Sequence, residues 1–442
     1  MTTEQLHSIY LQHPVISTDT RKIAPGSLFF ALKGDKFDAN TFAEQALLAG
    51  AAYVVIDNAT YQQGEKYLLV DDVLTTLQDL ARYHRQQLTI PVVGLTGTNG
   101  KTTTKELINA VLSQHFKTLA TQGNLNNHIG VPLTILTIDN SHQMAVIEMG
   151  ANHQKEIEML CSIAQPTHGL ITNVGKAHLE GFGGVEGVKI AKGELYDYLA
   201  QGGYAFINSN SDTLMQMQSA RKFMFPPVFY GDAIDDLVSG EITENSPLLS
   251  LSWTNNASGE SHNVKTQLTG AYNLDNILAA ICIGTYFKIP PHEINQGIEA
   301  YQPKNNRSQI VQTATNTLIC DYYNANPSSM FVAIENIGKL TANRKVLVLG
   351  DMFELGDESP AEHKAVIEKA FRTDVDERIF IGSAFYAESR EVGKSGSREE
   401  NVTYYKTAEE AIAGLKANPI KNSTILIKGS RGMALERLVD LF

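Results

Sequence analysis

The amino-acid sequence predicts a three-domain α/β protein, and three observations carry that prediction. The chain has 442 residues, enough for two or three domains of about 100–200 residues each. Across 89–304, and again across 305–442, apolar runs of strand length alternate with helical stretches, as in mostly parallel sheets covered on both faces. Residues 1–88 hold a shorter set of the same elements and stop before "TIP", a natural linker. The expected units are a small N-terminal α/β domain (1–88), a central parallel-sheet domain of the P-loop ATPase kind (89–304) and a C-terminal Rossmann-like domain (305–442).

In the first unit, "SLFFAL" and "AAYVVID" read as strands flanking the helical "NTFAEQALLAG", and "VLTTLQDLARYHRQQL" reads as a closing helix. The second opens with "VVGLTGTNGKTTTKELINAVLSQ", Val92 to Gln114: an apolar strand, a Gly-rich turn and a helix. It continues with the strands "MAVIEMG", "HGLITNVG" and "YAFIN", and with the helix "VEGVKIAKGELYDYLAQGG", which ends on a Gly-Gly stop. From about Pro226 to Leu268 the alternation yields to the short runs "LLSLSW" and "NVKTQL" between polar turns, which predicts an antiparallel appendage. The helix "NLDNILAAICIGTYF" closes the unit. In the third, "TLICDYY", "KVLVLGD", "RIFIGS", "NVTYY" and "STILIKG" are strands separated by helical patterns, a doubly wound arrangement.

Composition narrows the function classes. With 43% apolar and 19% charged residues the chain can pack several cores. A formal charge of −12 argues against nucleic acid or an anionic membrane surface, because phosphate backbones reward excess Lys and Arg. One small anion held locally remains compatible with it. Cys161, Cys282 and Cys320 are far apart and odd in number, which predicts buried thiols in a reducing compartment. The start "MTTEQLHSIYLQ" lacks a basic segment followed by an apolar core, and no run nears the ~18 apolar residues of a membrane span. A cytoplasmic protein is expected, without membrane insertion and, with nothing suggesting an obligate dimer, monomeric.

The turn at 97–100 raises the chemical question. In G-x-x-x-x-G-K-[ST] the first glycine would fall at position 95, which is Leu95; the glycines stand at Gly94 and Gly97. Even so, a strand, then "GKTT", then a helix is the context a phosphate cradle needs. Glycines let backbone N–H groups approach phosphate oxygens, and the helix N-terminus adds partial positive charge. Lys101 would then reach the β/γ-phosphates and the Thr102 hydroxyl would ligate Mg²⁺.

"TGTNGKTT" resembles the signature of the Mur ligase family, ATP-dependent amide-bond-forming enzymes of cell-wall and folate metabolism. "TQGNLNNHIGVPLTIL", "IEMGANH", "NVGKAHLEGFGG", "AKGEL", "YNANPSSM", "LGDMFELG" and "KGSRGM" extend the resemblance from about Ser17 to Arg437. It implies a three-domain Mur ligase architecture, with ATP bound by Gly97, Thr98, Asn99, Gly100, Lys101, Thr102 and Thr103. It implies Mg²⁺, in two sites, through Thr102, Glu148, His178 and Lys192, the last carbamylated by CO₂ into an anionic ligand. A strand-end Glu or a helix Lys is otherwise more often a solvated side chain. Arg307, where the family shows Pro-Gly-Arg, would neutralise the γ-phosphate in the transition state. Lys101, His178, Lys192 and Arg307 form the expected catalytic set. Asp321 matches a carboxylate on the ribose, Tyr323 packs near the adenine, and the family's acid before Asp321 is Cys320 here. "GAYNLDN" matches a G-x-H-N-x-x-N block: Asn273 and Asn276 remain, with Asn276 set to read the adenine edge. Tyr272 replaces the His, and a helix cap explains Asn273 equally well.

On the substrate side, "STDTRKIAPGSLFFALKGDKFDANTF" resembles the family's uridine-nucleotide pocket, with Ser17, Thr20, Arg21 and Lys33 as its contacts. Asn124, Asn126 and Asn127 are expected to hold the peptide stem or the sugar. Asn326, Lys428, Ser430 and Arg431 sit at strand ends, and the two cations suit peptide carboxylates. "EMGANH" and "YNANP" favour the family member that adds D-alanyl-D-alanine to UDP-N-acetylmuramoyl-tripeptide through an acyl phosphate. A sister ligase adding one amino acid, or a P-loop nucleotide switch, would share the loop; only a ligase needs Lys192, His178 and Arg307.

Overall fold

A computed structural model describes residues 1–176, 179–304, 306–392 and 401–442. Three main sheets follow one another along the chain. The first has four parallel strands in the spatial order Ile16–Ser17, Leu28–Phe30, Tyr53–Ile56, Tyr67–Leu69. It is preceded by the helix Thr3–Gln12, which is not among the elements expected from sequence. The predicted stretch 40–50 divides into the 3₁₀ turn Ala39–Phe42 and the helix Ala43–Leu48.

The second sheet has nine strands. Val92–Thr96 lies between Met144–Glu148 and His168–Ile171, all parallel. Along these strands side chains alternate between two apolar layers: Val92, Ala145 and Ile147 face one, Val93, Leu95 and Val146 the other. Burial on both faces is why these segments read as unbroken apolar runs. The expected antiparallel appendage is the meander Val238–Asn245, Leu249–Asn255, Glu260–Lys265, which extends this same sheet. The third sheet has six strands. Thr317–Asp321, Thr424–Lys428, Lys345–Gly350, Glu377–Ile381 and Val402–Tyr405 run parallel, and Gln309–Gln312 joins antiparallel at the edge. The three cysteines are buried and free.

The joints between the units differ in chemistry. The helix Val73–Gln86 carries one continuous apolar cluster from Leu6, Leu28 and Val55 through Leu77 and Leu80 to Val131, Ile135 and Leu160. Around it Tyr10 Oη donates to Leu136 O (2.6 Å), and Arg85 donates to Ala164 O (3.0 Å) and Gln165 O (3.1 Å). The first unit is thus fused to the second by a dry core. The apolar clusters of residues 311–442, by contrast, stay within that segment. It meets the central unit through polar bonds such as Asn326 Nδ2 to Asn99 Oδ1 (2.8 Å) and Lys176 Nζ to Glu362 Oε1 (2.6 Å).

Candidate active site

The carboxyl ends of three adjacent parallel strands meet at the turn 97–100, where open α/β sheets place ligands. Glu148 ends its strand in register with Leu95, and Thr172 follows the strand whose Ile171 pairs with Thr96. The turn leads into the helix Lys101–Leu112. Gly97 and Gly100 have φ of +146° and +76°. A Cβ on Gly97 would lie 2.0 Å from Thr172 Oγ1, and one on Gly100 2.6 Å from Asn276 Oδ1. Gly94 is different: it sits inside the strand, where a Cβ would press on Pro166 Cβ (2.8 Å) and Met149 Cε (2.9 Å). Gly94 is therefore a packing residue, and the turn begins at Gly97.

Residues 172–175 hold the turn in place. Thr98 N–H donates to Asn173 O (2.9 Å), Asn99 N–H to Asn173 Oδ1 (2.9 Å), and Thr172 Oγ1 to Asn99 O (2.6 Å). No residue-type signal marked Thr172 in the sequence, and Asn173 stood there only as the head of "NVGKAHLEGFGG"; both matter because the neighbouring strand brings them to the turn. Lys101 curls over the turn, donating from Nζ to Gly97 O (2.8 Å) and Thr98 O (3.0 Å). Desolvation lowers its pKa to about 8, with Glu148 opposing and Arg307 adding to the shift.

Glu148 is buried. Its Oε1 accepts from Thr102 Oγ1 (3.2 Å) and Asn126 Nδ2 (2.8 Å), while its buried Oε2 has no hydrogen-bond partner. A hydroxyl and an unsatisfied carboxylate oxygen suit Mg²⁺, which takes one or two protein oxygens and fills the rest with phosphate and water. Among the described residues no group of three or more His, Cys, Asp or Glu is placed to hold a metal. Lys192 is buried behind this corner, with Nζ donating to Ala151 O (3.3 Å) and 5.0 Å from the Phe182 ring centroid. Burial, then the charge of Lys101, lower its pKa to about 7 against the opposing Glu156 and Glu194. His178 lies outside the described residues.

A cavity of about 700 Å³ opens over the turn. It is lined by Thr98 to Thr103, by Asn124, Asn126, Asn127 and Glu148, and by Asn273, Asn276, Arg307, Asp321, Tyr323, Asn326 and Lys428. Arg307 stacks on Tyr323, its Cζ 3.9 Å from the ring centroid, and its buried Nε has no hydrogen-bond partner. A cation left this way inside a cavity suits an anion.

Family models match three stretches of the chain: the Mur ligase family catalytic domain over 14–85, the Mur ligase middle domain over 95–284, and the Mur ligase glutamate ligase domain over 306–431. The UDP-N-acetylmuramoyl-tripeptide–D-alanyl-D-alanine ligase of Bacillus subtilis is 35% identical over 432 residues, covering 96% of this chain and 92% of the relative. The chain belongs to the Mur ligase family. The Escherichia coli ligase of the same name is 37% identical over 429 residues, with the same coverage. Among solved structures, MurF from Acinetobacter baumannii superposes with a TM-score of 0.88 at 31% identity, covering 100% of this chain and 98% of that one.

Several side chains the Mur ligase resemblance singled out are already engaged. Lys428, expected for a peptide carboxylate, is buried against Asp321 Oδ2 (2.6 Å), its partner in register across adjacent strands. Ser430 Oγ accepts from Phe353 N–H (2.9 Å) and lies outside the cavity lining, so it shapes a loop. Asn276 Oδ1 accepts from Thr104 Oγ1 (2.9 Å) and its Nδ2 donates to Asn273 Oδ1 (2.9 Å), which makes it a wall of the phosphate turn. Asn273 stands at the helix N-cap but makes no side-chain cap bond; it donates to Thr269 O (2.8 Å) instead. Asn127 Oδ1 caps Gly130 N–H (2.9 Å), and Asn326 caps its own helix through Ser329 N–H (2.9 Å). Asn124 is exposed.

The Tyr323 ring is approached by Arg307 and also by Arg431, whose Cζ lies 5.1 Å from its centroid. Cys320, buried in the sheet core, leaves the auxiliary acid of the family missing. The first-unit residues do not line this cavity. There Arg21 pairs with Asp19 (2.8 Å), Lys33 with Asp57 (2.7 Å), Ser17 Oγ donates to Asp19 O (3.2 Å), and Thr20 is half-buried. No described helix is long and apolar enough to cross a membrane.

Proposed function

We propose that this chain joins D-alanyl-D-alanine to the C-terminal carboxylate of UDP-N-acetylmuramoyl-tripeptide at the expense of ATP, in the cytoplasmic synthesis of cell-wall precursor. The observation that carries the reading is the cavity that gathers the glycine turn, Glu148 and Arg307, whose Nε has no hydrogen-bond partner, around one space. The sequence relatives named for this reaction match over nearly their full length. The divisions after residues 88 and 304 accord with the three sheets and the three family-model matches.

ATP lies with its phosphates over the turn 97–103, on N–H groups other than those Thr98 and Asn99 give to Asn173, and Lys101 exchanges its loop carbonyls for phosphate oxygens. A tripeptide carboxylate oxygen attacks the γ-phosphorus, ADP leaves, and an acyl phosphate forms. The dipeptide amine then attacks the acyl carbon and inorganic phosphate departs. Arg307 offsets charge on the transferring phosphoryl group. Mg²⁺, held by Thr102 and Glu148, supplies electrostatic neutralisation of the phosphates when bound. Asp321 meets the ribose, with Tyr323 nearby, and Ser17, Thr20, Arg21 and Lys33 receive the uridine nucleotide.

As its carbamate, Lys192 would hold a second Mg²⁺ together with His178, which would add to the neutralisation of the phosphates. Carbamylation needs the neutral amine as nucleophile. Burial lowers the Lys192 pKa to about 7, so far more of it is neutral near pH 7 than of an exposed lysine. ADP release should require both the nucleotide tripeptide and D-alanyl-D-alanine, with a product heavier by one dipeptide residue pair. ATP turnover indifferent to the dipeptide would refute the assignment. Intact mass in bicarbonate against CO₂-free buffer should show one added CO₂ that Lys192→Ala abolishes.

A further inference from the structure

The segment carrying Arg307 is held in an unusual shape. The residues on either side, Asn306 and Ser308, both lie in the left-handed region, with φ of +58° and +50°. Non-glycine residues are disfavoured there and persist where surroundings over-determine them. Here three bonds do so. Tyr323 N–H donates to Asn306 O (3.3 Å), and Ser308 N–H donates to Asp321 Oδ1 (3.2 Å). Across the joint from the central unit, Tyr272 Oη and Ser308 Oγ share a hydrogen bond of 2.7 Å. Tyr272 itself folds over Gly270, whose φ is +95°; a Cβ there would lie 2.3 Å from its ring.

We infer that Tyr272 is a positioning residue, its hydroxyl fixing Ser308 and through it the left-handed bend that aims Arg307 into the phosphate cavity. The inference rests on the ligase reading for its consequence, and on geometry alone for the latch. Two of the three restraints on the Arg307 segment come from residues that move with it, Tyr323 and Asp321. Tyr272 is the restraint from the unit that holds the phosphate turn. It therefore ties the guanidinium to the place where the γ-phosphate lies, which a bond internal to residues 306–442 does not.

The test compares Tyr272→Phe, Ser308→Ala and Arg307→Ala, singly and combined, by radiolabelled ADP release, with amide hydrogen exchange over residues 306–312 as a second readout. Losing one hydrogen bond should lower kcat about fivefold in either latch variant while KM for ATP changes less than about twofold. The double Tyr272→Phe, Ser308→Ala should be no worse than either alone. Exchange over 306–312 should quicken, and adding Tyr272→Phe to Arg307→Ala should cost nothing more. Wild-type kcat in Tyr272→Phe, the same loss repeated in the Arg307→Ala background, or unchanged exchange would each overturn the inference. If the wild-type enzyme releases no ADP with these substrates, the functional reading fails, and the exchange data alone decide the latch.

Discussion

Replacing Gly100 by alanine tests the phosphate cradle directly. At φ +76° a side chain costs about 1–2 kcal/mol, and the new methyl would stand 2.6 Å from Asn276 Oδ1. Asn276 cannot swing aside freely, since Oδ1 is held by Thr104 and Nδ2 by Asn273. Releasing one or both of these bonds adds about 1–2 kcal/mol. Whether these bonds break or the turn distorts at similar cost to keep them, a total of about 2–4 kcal/mol corresponds to ATP binding weaker by about 30-fold to several hundredfold. Gly94→Ala is the control. Its methyl would press on Pro166 and Met149, so it should lower thermal stability by overpacking and leave the ATP affinity of the folded protein unchanged. Calorimetric titration with a non-hydrolysable ATP analogue and Mg²⁺, beside melting curves, separates the two. Wild-type affinity in Gly100→Ala, or equal loss in Gly94→Ala, would refute the placement of the triphosphate.

Glu148→Gln should keep the fold and raise the Mg²⁺ concentration needed for half-maximal activity by at least about tenfold, measured by metal titration of ADP release. Asp321→Asn strands the buried Lys428 ammonium, so it should destabilise by about 3 kcal/mol in urea unfolding, and Lys428→Met on top should recover part of that. His168, buried among Tyr204, Phe206 and Phe287, is held neutral, its pKa lowered by desolvation to about 4. Because the unfolded chain binds this proton near pH 6.5 and the native one does not until about 4, stability falls as pH drops through that window. About 2 kcal/mol should be lost by pH 5, and His168→Phe should lack that share in urea midpoints compared at pH 7 and pH 5. Small-angle scattering with ATP analogue and both substrates should show compaction, carried by residues 306–442, whose joint is polar; an unchanged profile would count against closure.

Much of this molecule is written in short range. A strand, a turn with Gly97 and Gly100, and a helix follow from local steric rules, and apolar runs at strand length mark both parallel sheets because both faces are buried. The family blocks likewise mark Glu148 and Lys192 by neighbours in sequence, whereas Arg307 stands there without the family's Pro-Gly before it. The helix Thr3–Gln12 was less legible, since its burial partners, Leu77 and Leu80 among them, arrive from another helix. What each polar side chain is free to do was settled only by folding. Lys428 spends its charge on Asp321, Ser430 and Asn276 spend their bonds on the backbone and on Thr104, and Arg307 alone of these keeps a buried donor unpaired. A residue type states which bonds a side chain can make; which are already made depends on partners as far as 227 residues away, brought close by the register of sheets and the joints between them.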